Sequence, residues 1–581
     1  MEKRVLLAVV LSFVVLYGYQ ALFPPPKPAG TPGTGISAPA TPAPATQAAG
    51  GQTSPPATPP SATEPPAAPP ASAPLVAESE ERDVKFESES VLAIFTTRGG
   101  ALKSWRLKKY RDATGEPLEL VPRTVPAGTV RPFTLSVPDA ATSATLAQAF
   151  FKASSDLGPS SDPARLTFDY QDASGLAARK EFLFNPASPY VVELSATVSQ
   201  AGKDLVPTLE WGPGIGSGLV ASTRTYSPPP QPIFYRDGSV SRIKNTKVAE
   251  NAVQEGALGF AGVDDHYFLA AALPSGQPMH VQYRALEVPL PSPPGTSAHF
   301  IDWSVRYNTA PSRARFFLGP KDFDVLASVD RDLVRSIDFG IFAWLVVPLL
   351  RALKWVDSYV GNYGWSIIIL TVLINVAMFP LRHKSVVSMR RMQDIQPEVK
   401  AIQDRYANLK MTDPAKQKMN TELMSLYRER GVNPASGCVP MLLTLPVLFA
   451  FYSMLSVAIE LRGAPFVGWI HDLSIYDPLY ITPILMGITQ FVQTKMTPTT
   501  ADPMQQKMMM FMPLVMMSFF LWAPSGLVLY WTTSNLWAIG QQVLTNRLIG
   551  PPKPHTVRPP AERRVKNVGG GRTDQAVKER K

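Results

Sequence analysis

Thr371 and Asn375 stand four residues apart in a stretch with no charged side chain, bounded by Asp357 and Arg382. A helix there sets both on one face. Thr444 lies in a second uncharged stretch, between Arg430 and Glu460, and Gln490, Gln493 and Thr494 close a third, between Asp477 and Lys495. Thr532, Thr533, Ser534 and Asn535, then Gln541 and Gln542, fall in a fourth, which runs uncharged from 508 to 546 and is broken only by Ala523-Pro524-Ser525-Gly526. None of these residues forms a nucleophile–base pair or a metal-ligand set. Amides and hydroxyls in an apolar phase do one kind of chemistry: they hydrogen-bond to a neighbouring helix, to water, or to a polar segment of another chain. Polar groups kept in such surroundings are costly and usually serve function. At about 1.5 Å per residue, Asn375, Thr444, Gln490 and Gln541 all lie within roughly 10 Å of the basic ends of their helices. Four segments polar at one depth point to a wet cavity open on one side and closed on the other, which is not the layout of a pore. Bonding between helices is the competing use of the same residue types.

The elements that must position these residues are membrane spans. A bilayer core needs about 20 apolar residues per helix, so 508–546 is long enough for two spans joined by a turn. With the three preceding segments and Val5–Phe23 there are six candidate spans. The basic residues decide their orientation: the loop 383–435 holds Lys384, Arg390, Arg391, Lys400, Arg405 and others, and the tail after Asn546 is equally basic, whereas 460–477 has only Arg462. The positive-inside rule places the N-terminus, that loop and the tail in the cytoplasm and the long soluble block outside. Within the loop, Ile395, Val399, Ile402 and Tyr406 form an apolar stripe at helical spacing, and Met419, Leu423 and Leu426 repeat it after Asp413-Pro414, a fitting helix start. Gly431 suits the helix end. Two such helices make an antiparallel hairpin, whose charges serve either as a solvated face or for docking.

The remaining chain divides by composition. Residues 1–23 read as an uncleaved anchor, because Tyr19-Gln20-Ala21 fits a small-residue cleavage site poorly. Residues 24–78 form a Pro/Ala-rich linker unable to build a core. From 79 to 335, short β-branched runs such as Val91–Thr97 and Tyr190–Leu194, separated by turn residues, predict an all-β sandwich. Residues 336–356 include an apolar run from Phe339 to Leu350 that is too short to span, which predicts an interfacial amphipathic helix. Residues 357–550 hold a five-helix core and 551–581 a basic tail. The net charge of +10 is gathered in particular loops, which argues against a specific nucleic-acid partner. Cys438 is the only cysteine, which excludes intrachain disulfides and Cys-based metal centres. Gly212-Pro213-Gly214-Ile215-Gly216-Ser217-Gly218 lacks the P-loop lysine and reads as a turn. Asp264-Asp265-His266 is a lone triplet, more simply structural than metal-binding. No cofactor or metal is expected, and no enzyme activity. Met504, Met508, Met509, Met510, Met512, Met516 and Met517 suit either an adaptable apolar surface or an ordinary core.

The stretches YGWSIIILTVLINVAMFPL (363–381), NPASGCVPMLLTLPVLFAFY, APFVGWIHDLSIYDPLYITPILMG, KMTPTTADPMQQK and FLWAPSGLVLYWTTSNL closely resemble the YidC/Oxa/Alb family of membrane insertases, with weaker echoes of its Gram-negative form at RGGALKSW, DDHYFLAA and FLGPKDFDVL. The likeness runs from about Asp338 to Gln542. It implies a bacterial inner-membrane insertase whose core helices enclose a hydrophilic groove open to the cytoplasm and to lipid. It also implies nascent membrane proteins as clients, and work alone or with the Sec translocon and the ribosome, the latter through the hairpin residues Arg390, Arg391, Lys400 and Arg405 and the basic tail. The groove residues expected are Thr371, Asn375, Arg382, Thr444, Gln490, Gln493, Trp531, Ser534 and Asn535. One departure stands out: the family usually has an arginine where this chain has Asn375. Arg382, seven residues on and nearly on the same face, would point its guanidinium back up the groove, since helical side chains lean toward the N-terminus. A solute transporter, the main rival, should show an inverted repeat with paired broken helices, and neither is seen. A β domain merely anchored by its helices leaves the inner-leaflet polarity unexplained.

Overall fold

A computed structural model describes residues 73–549 apart from 113, 123–128, 159–161, 217–228, 290–296, 407–414, 433–438 and 498–502. The expected anchor (1–23), nearly all of the linker (24–78) and the basic tail (551–581) lie outside the described residues.

Residues 74–320 form antiparallel sheets, because their apolar side chains alternate. Leu176–Phe184 buries Leu176, Ala178, Lys180, Phe182 and Phe184 on one face and turns the intervening residues outward. An 11-stranded sheet runs from Pro74–Val76 through Ala164–Asp172, Leu176–Phe184, Val191–Gln200, Ala314–Pro320, Phe268–Leu273, Phe260–Asp264 and Gln231–Arg236 to Ser239–Arg242. Sheets of five and four strands lie against it. Phe133 and Trp303 of the five-stranded side meet Phe316 of the large sheet at 5.1 and 6.4 Å, and Phe95 of the four-stranded sheet meets Phe182 at 4.8 Å. Where the two smaller sheets adjoin, Lys180 is fully buried and donates to the carbonyls of Gly99 (2.6 Å), Gly100 (3.1 Å) and Phe133 (2.6 Å). All three ammonium protons are thus satisfied without an acid.

Ten α-helices are described: α1 (Ala140–Gln148), α2 (Phe323–Val329), α3 (Ala343–Val360), α4 (Tyr363–Asp394), α5 (Gln396–Arg405), α6 (Ala415–Glu429), α7 (Val439–Val457), α8 (Ile481–Met496), α9 (Pro503–Phe520) and α10 (Ser525–Ile549). Two boundaries differ from expectation. The helix expected within 336–356 forms as α3 and continues to Val360, since no breaker intervenes before Gly361, whose φ of +67° supplies the left-handed stop. α4 is a single helix of 32 residues, so residue 383 is no boundary. Arg382–Gln393 is built of residues that favour or tolerate a helix, and Pro380 is accommodated inside it. By length and composition α4 can cross a membrane; α8, with 16 residues, is shorter than the bilayer core.

α5 and α6 pack side by side. Ile395, Val399 and Val432 form a small core covered by Leu423, Leu426 and Tyr427, and the pair is tied at both ends by Arg405–Glu422 (3.1 Å) and Arg430–Glu398 (2.6 Å). Gly431 ends α6 with a φ of +62°. Asp413-Pro414 lies outside the described residues. Among the remaining helices α10 is central: it packs along α4 on one side and α8 on the other, α9 packs on α8, and α7 touches α4 and α10. α7 and α9 stand at the two ends of this arc.

Candidate functional site

Along α4 the three polar residues form a ladder. Asn362 caps the helix by accepting from the Trp365 amide at 3.2 Å, and the apolar run that follows carries Thr371 and Asn375 into the bundle. Both are buried, at 1% and 4% exposure. Thr371 Oγ1 donates to the Ile367 carbonyl at 2.6 Å, and Asn375 Nδ2 donates to the Thr371 carbonyl at 2.8 Å. This leaves Asn375 Oδ1 as an acceptor, and Arg382 Nη1 donates to it at 2.7 Å. The guanidinium therefore reaches back along α4, as the lean of helical side chains requires. Arg382 is half-buried, lies near the Tyr530 phenol, and has no acidic partner among the described residues. Tyr530 itself stacks on Phe451 of α7 at 4.5 Å and stands beside Ser534.

On the α8 side, Trp531 Nε1 donates to Gln490 Oε1 at 3.0 Å, and Phe520 of α9 covers the indole at 5.0 Å. Asn535 is buried and bridges to α8, donating to Thr489 Oγ1 at 3.3 Å, so it joins helices. Thr532 and Thr533 bond back to carbonyls of their own helix at 2.8 Å. Gln493 Oε1, Trp537 Nε1 and Gln541 Nε2 are buried and take no partner among the described residues, a combination rare in proteins and expensive in a dry bundle. The Thr444 side chain lies outside the described residues. Thr371, Asn375 and Arg382 are thus linked along α4, with the Tyr530 phenol near Arg382, and Trp531 with Gln490 joins α10 to α8; Thr371 and Asn375 are closed off, while Arg382, Gln490, Gln493, Trp531 and Ser534 are partly open.

The basic residues expected to act in the hairpin fall on two elements. Arg390 and Arg391 lie on α4 beyond the bundle, where Arg390 Nη2 donates to Asn546 Oδ1 of α10 at 3.1 Å. Lys400 is exposed on α5, and Arg405 is the α5 end of the ion pair with Glu422. Of the methionines, Met508, Met509 and Met512 are exposed on α9. The Asp264-Asp265-His266 triplet is structural. Asp264 is buried and takes Arg242 (2.9 Å) and Lys321 (3.0 Å), Asp265 accepts from the Tyr267 and Phe268 amides, and His266 Nε2 meets the Ser456 carbonyl of α7 at 2.7 Å. Among the described residues no group of His, Cys, Asp or Glu is arranged to hold a metal.

Sequence reasoning missed this junction between β domain and helices. Lys354 of α3 pairs with Asp322 (3.5 Å) and Asp324 of α2 and with Glu460 (3.2 Å) after α7, and Ser453 Oγ donates to the Phe339 carbonyl at 2.9 Å. Burial raises the Glu460 carboxyl pKa, and Lys354 only partly offsets this. The available signal was a lone acid placed directly after an apolar segment.

An all-β domain resting on a helical bundle with a polar inner wall matches two family profiles, one described as YidC periplasmic domain over residues 83–352 and one as 60Kd inner membrane protein over residues 355–551. Together they define an inner-membrane protein that carries a periplasmic domain. A protein of Geobacter metallireducens named membrane protein insertase YidC is 36% identical over 575 residues, covering 94% of this chain and 99% of its own. One of the same name from Syntrophus aciditrophicus is 35% identical over 574 residues, covering 94% and 100%. The chain belongs to the YidC membrane protein insertase family. A crystal structure described as an active YidC insertase with its first transmembrane domain resolved aligns with a TM-score of 0.33 and 17% identity, over 82% of this chain and 95% of that one.

Proposed function

We propose that this protein inserts newly made inner-membrane proteins by receiving their hydrophilic tails in a half-depth groove open to the cytoplasm, and that Arg382 supplies the positive charge of that groove. The observation that carries this reading is a guanidinium drawn into a helical bundle and held by Asn375 without a carboxylate partner among the described residues. An unpaired cation among apolar helices is expensive, and such residues mark the path of a polar or charged substrate. An acidic client tail would find in Arg382 the ion-pair partner the protein withholds, with Asn375 relaying hydrogen bonds to Thr371 and the partly open Gln490, Gln493 and Trp531 hydrating the path.

No covalent chemistry is needed. Placing a charged residue at the bilayer centre costs about 2.5–3.5 kcal/mol on the translocon scale, and a groove reaching halfway shortens the barrier. The client's apolar helix then partitions into lipid, gaining about 0.3–0.6 kcal/mol per Leu, Ile, Phe or Val. In this reading α4, α7, α8, α9 and α10 span the membrane with the N-terminal anchor as a sixth span, both termini are cytoplasmic, and α3 lies in the outer interface with Trp344, Trp355 and Tyr359 exposed toward lipid. The α5–α6 pair and the basic tail face the ribosome, and the bundle edge serves the Sec translocon. The test is complementation with Arg382→Ala, Arg382→Lys and the double variant Asn375→Arg/Arg382→Ala, using clients with acidic and neutral tails. Arg382→Ala should lower insertion of acidic-tailed clients about tenfold or more and spare neutral ones, with Asn375→Arg restoring it; full activity of Arg382→Ala on acidic tails rejects the role.

A further inference from the structure

Along the α4–α10 seam lies an apolar cleft of about 540 Å³ whose walls include Val372, Val376 and Phe379 of α4 and Leu536, Gly540 and Leu544 of α10, with Trp537 and Gln541 of the candidate site at its edge. We propose that it is a binding site for one anionic glycerophospholipid of the cytoplasmic leaflet, with an acyl chain in the cleft and the phosphate at its basic mouth. The inference rests on the membrane orientation proposed above.

Three observations carry it. First, the cleft runs along the helices: from Thr533 to Leu544 is eleven residues, about 16 Å of helix, which suits the length of an inner-leaflet acyl chain. Second, Gly540 sits in the middle of α10, where glycine costs about 1 kcal/mol relative to alanine. A methyl group there would meet nothing within 4 Å, so no close packing of the protein demands the glycine, which instead leaves the wall open. Third, the charges at the mouth have one sign. The His383 ring stacks on Phe379 at 5.8 Å and its Nδ1 lies 3.4 Å from Thr545 Oγ1. Arg547 follows Leu544 by three residues on the same face of α10, and Lys384 adjoins His383 on α4. Lys384 and Arg547 are exposed, with no acidic partner among the described residues. Basic pockets between helices on the cytoplasmic side are the general form of anionic head-group sites. A neutral lipid would satisfy the apolar walls but not this mouth.

The test places a photo-crosslinking amino acid at Val376 or Leu544 in the cleft, and at Phe511 or Leu514 on the exposed face of α9, in the full-length protein reconstituted in vesicles of phosphatidylethanolamine with a minority of phosphatidylglycerol. Crosslinked lipids are identified by mass. The expected result is enrichment of phosphatidylglycerol by about fivefold over its bulk share at the cleft positions and no enrichment on α9. The double variant Lys384→Gln/Arg547→Gln should abolish the enrichment while lipid crosslinks persist, and Gly540→Leu, whose Cβ meets open space and whose longer side chain fills the cleft, should abolish lipid crosslinking in the cleft. Phosphatidylglycerol at its bulk share in the cleft, or crosslinks there to a second copy or to this chain's own N-terminal segment, overturns the proposal. Absence of lipid crosslinks on α9 as well would instead overturn the membrane-spanning reading on which it stands.

Discussion

Asp302 is half-buried against Gly212, and desolvation pushes its carboxyl pKa up to about 6, with Arg284 pulling the other way. Between about pH 4 and pH 6 the folded chain therefore holds a proton that the unfolded chain has released. The stability this group contributes falls as pH rises through that window, and above it a charged carboxylate sits where its Oδ1 has no partner among the described residues. Asp302→Asn should thus stabilise the β domain at about pH 7.5 by roughly 1 kcal/mol, discounted for partial exposure, and should do nothing near pH 4; thermal unfolding at the two pH values checks it. The sequence made the groove polarity visible, because Thr371, Asn375 and Gln490 interrupt otherwise apolar runs. The lean of Arg382 back along α4 was expected from helical geometry once the resemblance drew attention to residue 375, whereas its bond to Asn375 was not. Lys180 was not legible: it occupies an inward position of an alternating strand, and only the meeting of distant carbonyls from Gly99, Gly100 and Phe133 explains its burial.

At the scale of elements, Gly364 opens α4 directly against Phe466, which meets Trp365 edge-on at 5.5 Å. A methyl group on residue 364 would lie inside the Phe466 ring, so Gly364→Ala should cost about 1–3 kcal/mol, seen as a lower unfolding midpoint and faster proteolysis of the loop 462–479. Lys354 pairs with Asp322, Asp324 and Glu460 together. Lys354→Ala leaves three carboxylates facing one another and should increase hydrogen exchange at 322–330 and 456–462, whereas Lys354→Met with Glu460→Gln should restore most of the protection. Helix ends marked by Gly361 and Gly431 could be read from sequence, since a left-handed residue is a local requirement. The run of α4 to Asp394 was hidden because charge marks the membrane boundary and leaves the helix intact. Strand pairing was hidden too, as partners such as Val191 and Phe317 lie far apart in the chain.

For the whole molecule, the β domain and the helical bundle meet through His266 and Ser456, Arg462 over Phe268 at 5.3 Å, and the Lys354 cluster. None of these contacts is adjacent in sequence, so composition separated the two parts but not their joint. The central claim concerns the other face of the bundle, where Arg382, Gln490 and Trp531 would receive a client. It is tested most directly by photo-crosslinking a ribosome-stalled client with an acidic tail from positions 371, 375, 490 and 531, with Ile484 and Leu514 as exposed outward controls. The tail should crosslink from 490 and 531 most strongly, more weakly from the closed-off positions 371 and 375, and not from 484 or 514, and Arg382→Ala should diminish the groove signal. A client captured only from the outward positions, with the groove positions silent, would contradict the account.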